Sequence, residues 1–290
     1  IEELEIITIS ETQTRLNALL AGQVHAINGV DPPQARVLES REGIKLLEAP
    51  SGAWTPLVMA TKRPPFDDLQ VRQAFRLIVD RNQIIENVLS GHGQLGNDLF
   101  SPFDPMYTGD DLPQQEQDLE KARFLLKSAG QENLTVALHT ADFAPGALNS
   151  AIVFAEQAKQ AGVTVNLDRG PAGSYYDEPY LKTPFFQTNW GYRALDPQIL
   201  QCVFSKSPWN ETQWARPEFD QMTAEARATL DEAKRRELYL EAQKMLWEEG
   251  GYILWGFLNY LDAHREEVQG FKAHVGRNLM WYGFQDVWLS

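Results

Sequence analysis

Between positions 189 and 210 the chain gathers Trp190, Tyr192, Arg193, Asp196, Trp209 and Asn210 around Gly191 and Pro197. Aromatic faces with a few fixed polar groups suit a concave small-molecule site, where ring area gives affinity and convergent donors give orientation. The same pattern also describes a strand end whose rings are only core. Arg193 is the notable charge. Its neighbours Trp190 and Tyr192 would partly dehydrate it, and a guanidinium so placed grips a carboxylate through two parallel hydrogen bonds. The alternative is a structural pair with Asp196 or another acid. Trp54, in the run Gly52-Ala53-Trp54-Thr55-Pro56, either lines a cleft or packs a hinge. Gly191 and Pro197 argue against a plain helix in this region.

Other chemistries find little support. There is no glycine-rich phosphate loop and no GxSxG nucleophile elbow. His25, His92, His139, His264 and His274 are scattered, without metal-ligand spacing. Cys202 is the single cysteine, so no internal disulfide forms, and Leu200, Val203 and Phe204 beside it suggest a buried thiol. Asp67-Asp68 and Glu248-Glu249 read as helix-end charges, not as a catalytic pair. No metal, cofactor or catalytic group is therefore expected. A formal net charge of −14 argues against a nucleic-acid partner or an anionic membrane surface. With 43% hydrophobic and 23% charged residues the chain reads as an ordinary folded one, and its 290 residues suggest two domains.

The elements that must carry these groups follow from periodicity. Strands are predicted at 5–9, 24–30, 44–47, 134–139, 163–167 and 185–189, with an extended apolar segment at 55–60. Helices are predicted at 12–21 with Gly22 as stop, from Asp31-Pro32-Pro33 through Leu38, and at 84–89. A helix capped by Asp67 or Asp68 shares one face among Val71, Ala74, Phe75 and Ile78; another, capped by Asp118, runs to Gly130. Further helices cover 148–161, 217–230 and 232–249, and short strands follow from 251. This alternation implies an α/β fold. Lys62-Arg63-Pro64-Pro65 is a plausible crossing between domains. No run is long enough to span a bilayer as a helix. The opening Ile1-Glu2-Glu3-Leu4-Glu5 reads as an interior start.

Several of these stretches resemble one family. Asp67-Asp68-Leu69-Gln70-Val71-Arg72-Gln73-Ala74-Phe75, followed by Ile78-Val79-Asp80-Arg81 and Ile84-Ile85, is similar to a signature of family 5 extracellular solute-binding proteins, the peptide-, nickel- and opine-type receptors of ABC importers. Arg15-Leu16 through Gly22, Asp118 through Gly130, Trp209-Asn210 with Pro217-Glu218-Phe219-Asp220, and Val268-Gln269-Gly270-Phe271 extend the resemblance over almost the whole chain.

The resemblance implies a periplasmic binding protein type II-like fold: two lobes with mixed sheets and flanking helices, closing on a ligand about a hinge. Members are usually near twice this length, so the N-terminal half would be missing. Residues 1–60 and 252–290 would be what remains of lobe one, and 61–251 a complete second lobe. The expected partners are a small-molecule or peptide ligand and a membrane permease of the ABC type, with the protein monomeric and periplasmic or extracellular. In the family's peptide receptors an acidic residue three positions after the loop tryptophan receives the peptide amine; here that position is Arg193. An acidic solute is expected instead, with Asp196 free to serve a cationic end. The binding residues implied are Trp54, Trp190, Tyr192, Arg193, Asp196, Trp209 and Asn210. A hydrolase using Asp196 and a cleft carboxylate, or a ligand-responsive sensor, is the alternative.

Overall fold

The computed structural model describes residues 3–9, 11–177, 180–276, 278, 279 and 283–290. Two main sheets organise the chain. In the first, β1 (Ala26–Ile27), β2 (Ile44–Trp54) and β4 (Gly93–Leu95) all pair antiparallel with β9 (Gly256–Arg265). The second is five-stranded, in the order β6 (Thr164–Arg169), β5 (Thr135–Thr140), β7 (Phe185–Gln187), β3 (Leu57–Met59), β8 (Tyr252–Ile253). It is mixed: β5 runs parallel to β6 and β7, while β3 is antiparallel to β7 and β8. A small ladder joins β10 (Val268–Gln269) to β11 (Trp288–Leu289).

Helices cover each sheet because their apolar stripes need a partner. α1 (Thr12–Leu20) and α2 (Pro32–Leu38) bury Leu16, Leu19, Ala35 and Leu38 against Ile27, Leu261 and Ala263 of the first sheet. α3 (Leu69–Ile78), α4 (Arg81–Leu89), α5 (Leu119–Ser128) and α6 (Ala147–Gln160) close one core of the second sheet. Val71, Ala74, Phe75 and Ile78 are wholly buried there, as the spacing of one helix face requires. Aspartates start these helices: Asp68 accepts from the Gln70 amide, Asp80 from that of Gln83 and Asp118 from that of Lys121. α7 (Leu195–Cys202), α8 (Pro217–Ala228) and α9 (Glu232–Glu249) enclose a second core around Trp54, Phe186, Ile199, Phe219 and Tyr252.

Direct strand-to-strand crossings between the two sheets occur at Thr55-Pro56, from β2 to β3, and at Leu254-Trp255, from β8 to β9; the chain also enters the first sheet at β4 and leaves it again for β5. The crossing therefore precedes Lys62-Arg63-Pro64-Pro65. Residues 57–59 and 252–253, expected with lobe one, are strands of the five-stranded sheet, and residues 93–95, expected with lobe two, pair with β9. The two crossings are tied together: the Trp255 indole donates to the Thr55 carbonyl at 2.7 Å. Behind them sits a buried charge cluster. Asp98 accepts both oxygens' worth of contact from the Arg81 guanidinium at 2.8 Å, lies 3.7 Å from Arg76 Nε, and accepts from the Leu254 amide at 2.9 Å. Arg72 and Arg76 reach the last turn of α9 and the strand after it through the carbonyls of Glu249 and Tyr252. The arginines of the Val71–Arg81 stretch thus act as internal staples.

Local differences from the sequence expectation have physical causes. Residues 5–9 form no strand: Ile6 and Ile7 are 71% and 52% exposed, and among the described residues no ladder covers them. The strand predicted at 44–47 runs on to Trp54 through an irregularity between Ala49 and Ala53, while the one predicted at 24–30 shrinks to Ala26–Ile27. α7 forms despite Pro197, which stands in the first turn where an amide hydrogen would lack a helical partner anyway.

Candidate functional site

Where β7 ends, Thr188 to Ala194 leave the sheet as an irregular segment before α7 begins. This segment forms one wall of a cleft of about 540 Å³. Thr188, Asn189, Trp190, Gly191 and Arg193 line that wall; Tyr176, Tyr180, Gln201 and Trp209 complete the cleft. Trp209 is 51% exposed, with its ring tilted against that of Tyr180 at 6.2 Å.

Trp190 is held on three sides. Its amide and carbonyl exchange 2.9 Å hydrogen bonds with those of Trp54, an isolated bridge that joins the end of β2 to the cleft wall. The two rings stack at 6.3 Å with 20° between planes. The indole Nε1 donates to Glu211 Oε2 at 3.0 Å. Over the Trp190 ring lies the Arg193 guanidinium, its Cζ 5.1 Å from the centroid. Arg193 contacts the Gly191 carbonyl at 3.4 Å, and among the described residues no carboxylate pairs with it.

Glu211 lies below the floor and is fully buried. It accepts from Tyr180 Oη at 2.8 Å and from Tyr252 Oη at 2.9 Å as well as from Trp190. Burial pushes its carboxyl above the usual carboxylate range, against the lowering effect of these donors. Burial likewise pushes the Tyr180 and Tyr176 phenols upward, so both stay protonated hydrogen-bonding groups. The Gln201 amide oxygen is buried at the cleft wall with no partner among the described residues.

Of the residues singled out in the sequence, Trp190, Arg193 and Trp209 line the cleft. The others do not. Trp54 is 1% exposed and supports Trp190 from behind, between Phe100 and Tyr252. Tyr192 turns away onto β2: a Cβ at Gly52 would stand 2.4 Å from its ring. Asp196 is engaged by Arg227 at 2.7 Å and by Tyr239 Oη at 2.8 Å, so it neither pairs with Arg193 nor stands open to a cation. Asn210 spends its amide on the Trp214 carbonyl at 2.7 Å and shapes the turn that presents Trp209. Tyr176, Tyr180, Thr188, Gln201 and Glu211 were not foreseen. The density of tyrosine at 175–180 was a usable signal; nothing local marked Glu211.

The arrangement offers the Arg193 guanidinium resting on Trp190, the exposed Trp209 indole and the polar side chains of Tyr176, Asn189 and Gln201. Among the described residues no group of three or more His, Cys, Asp or Glu is placed to hold a metal ion.

Residues 1–212 match the family described as bacterial extracellular solute-binding proteins, family 5 Middle. The chain is 26% identical over 288 residues to the glutathione-binding protein GsiB of Pectobacterium atrosepticum, covering 91% of this chain and 53% of that protein. It is 27% identical over 254 residues to a dipeptide-binding protein of Escherichia coli, covering 83% of this chain and 47% of that one. The chain thus spans about half the length of the curated relatives it matches. In fold it is similar to the periplasmic binding protein DppA of Helicobacter pylori, solved with the peptide STSA, at TM-score 0.84, 22% identity, 97% of this chain and 56% of that one. It is also similar to AgaA of A. tumefaciens R10, solved with agropinic acid, at TM-score 0.81 and 22% identity, over 97% and 59% of the two chains.

Proposed function

The chain belongs to the bacterial extracellular solute-binding proteins of family 5, and from that premise we propose that it captures a small acidic solute, peptide-like or opine-like, for an ABC importer. The two sheets are then the cores of two lobes, moving about the crossings at Thr55-Pro56 and Leu254-Trp255, at the periplasmic or extracellular face of a membrane permease. Among the described residues no helix is long and apolar enough to cross a membrane.

One observation carries the reading: Arg193 stands over the cleft on the Trp190 ring with no carboxylate partner among the described residues. A solute carboxylate can take two parallel hydrogen bonds from it. A solute amine in the same place meets a like charge, at about 1–4 kcal/mol for a 4 Å separation between water and a partly dry cleft. The Asn189 and Gln201 amides along the wall suit a solute that also carries polar groups, while Trp209 covers its apolar part. The hydrolase reading leaned on Asp196, which Arg227 and Tyr239 occupy; the relatives above are named as binding proteins.

The test is calorimetry with three solutes: glutathione, the dipeptide Met-Leu and agropinic acid. Binding should favour the solutes richer in acid groups over the zwitterionic dipeptide. Arg193→Ala should weaken it about tenfold, the low end for a hydrogen bond to a charged group at a half-exposed site. Equal affinity of wild type and R193A for the tightest of the three overturns the reading.

A further inference from the structure

Glu211 is a charge that solute capture, as described so far, does not use. Tyr180, Trp190 and Tyr252 donate to it from separate parts of the chain, and the Thr188 side chain also hydrogen-bonds to it. An indole N–H can only donate, so Oε2 must accept from Trp190. Among the described residues no cation pairs with Glu211, although a buried carboxylate without one is costly to keep. A neutral side chain of the same shape would hold the three rings as well: a glutamine oxygen accepts from the indole, and its amide donates to a tyrosine hydroxyl, which can also accept. The charge therefore needs a role that shape does not supply.

The opposite end of the same contact line shows one. Glu211 holds the edge of the Trp190 indole at 3.0 Å, and Arg193 rests on the face of that indole at 5.1 Å. A carboxylate hydrogen-bonded to the indole N–H polarises the ring toward its face, and a more negative face holds a guanidinium more firmly. We propose that Glu211 is a positioning residue: its negative charge, acting through the Trp190 indole, pre-sets the Arg193 guanidinium above the cleft to receive the acidic group of the solute. This rests on the reading that Arg193 is the acid receptor.

The groups facing Glu211 allow a clean pH test. They are Tyr180 and Tyr252, with Tyr175, Tyr176 and Cys202 close enough to feel its charge. Burial holds all five above their ordinary values, so none changes charge in the acid range. Trp190 does not titrate.

The probe is iodide, with acrylamide as its neutral control, quenching the fluorescence of Trp190 taken as the difference between the chain and its Trp190→Phe variant. A guanidinium on the ring concentrates iodide there, so wild type should show excess iodide quenching over acrylamide. Glu211→Gln should reduce that excess at least twofold with the unfolding midpoint kept or raised, and acrylamide quenching unchanged. In wild type the excess should fade on acidification as Glu211 takes up its proton; in E211Q it should stay flat. Wild-type iodide quenching in E211Q overturns the proposal, as does a wild-type excess that ignores pH; the second arm decides should E211Q fail to fold. The underlying reading fails separately, by calorimetry: Arg193→Ala would then bind the solute as wild type does while the iodide excess still responds to Glu211→Gln, and an iodide excess that survives Arg193→Ala overturns the proposal itself.

Discussion

Replacing Asp98 with asparagine should unfasten the passage between the two sheets. Asp98 is wholly buried, as are the Arg81 and Arg76 side chains to within 3% exposure. Its carboxylate holds the Arg81 guanidinium by two 2.8 Å contacts, lies 3.7 Å from Arg76, and anchors the Leu254 amide at 2.9 Å in the returning crossing. Asp98→Asn preserves volume and an acceptor for Leu254 but removes the only acid among these contacts, leaving two buried guanidinium groups facing each other. Breaking one partner of a buried ion pair costs about 3–5 kcal/mol, because the remaining charge has no compensation. Asp111→Asn supplies the contrast: its pair with Arg236 at 2.7 Å is 45% exposed on each side, where about 0–1 kcal/mol is normal. Urea unfolding followed by circular dichroism measures both. A D98N midpoint no lower than that of D111N would refute the argument that this cluster carries the crossing.

Gly52→Ala should destabilise by about 1–3 kcal/mol, since the new methyl would stand 2.4 Å from the Tyr192 ring and force it off β2; the same urea assay reads it. Cys202, fully buried and with its thiol pushed above the ordinary range by burial, should resist alkylation in the native state and react at the rate of unfolding; fast native labelling would contradict its placement. Glu211 makes a signed pH prediction. Its carboxyl is raised in the fold, so the native state binds its proton more tightly than the unfolded chain does. Its contribution to stability is greatest in acid and falls as pH rises above the ordinary carboxylate range through the raised value. Wild type should therefore lose stability relative to E211Q over that rise in pH, and parallel pH profiles would deny the shift.

What the sequence disclosed, it disclosed where the signal is local. Helix periodicity at Val71, Ala74, Phe75 and Ile78, and the aspartate caps at positions 68 and 118, act within a few residues, and the structure reproduces them. The aromatic cluster at 190–209 reached the cleft for the same reason: Trp190, Arg193 and Trp209 are close in the chain and close in space. What stayed hidden depends on distant partners. Asp196 could not be seen to belong to Arg227 on α8, nor Tyr192 to Gly52 on β2, before the sheets brought them together. Glu211 is the extreme case, because Tyr180 comes to it from 31 residues before it in the chain and Tyr252 from 41 residues after it. The crossing was misplaced because Lys62-Arg63-Pro64-Pro65 carries the stronger turn signal, while Thr55-Pro56 is extended on both sides and reads as uninterrupted strand.

Trp190 divides its labour between main chain and side chain. Its peptide groups are stitched to Trp54 and its indole edge to Glu211, which leaves the ring's face to carry Arg193 at the cleft. Mechanical linkage and cargo preference are thereby separate inheritances of one residue. On the proposed reading, exchange at position 193 should retune which molecules are accepted while the main-chain seam between Trp54 and Trp190 is left as it was.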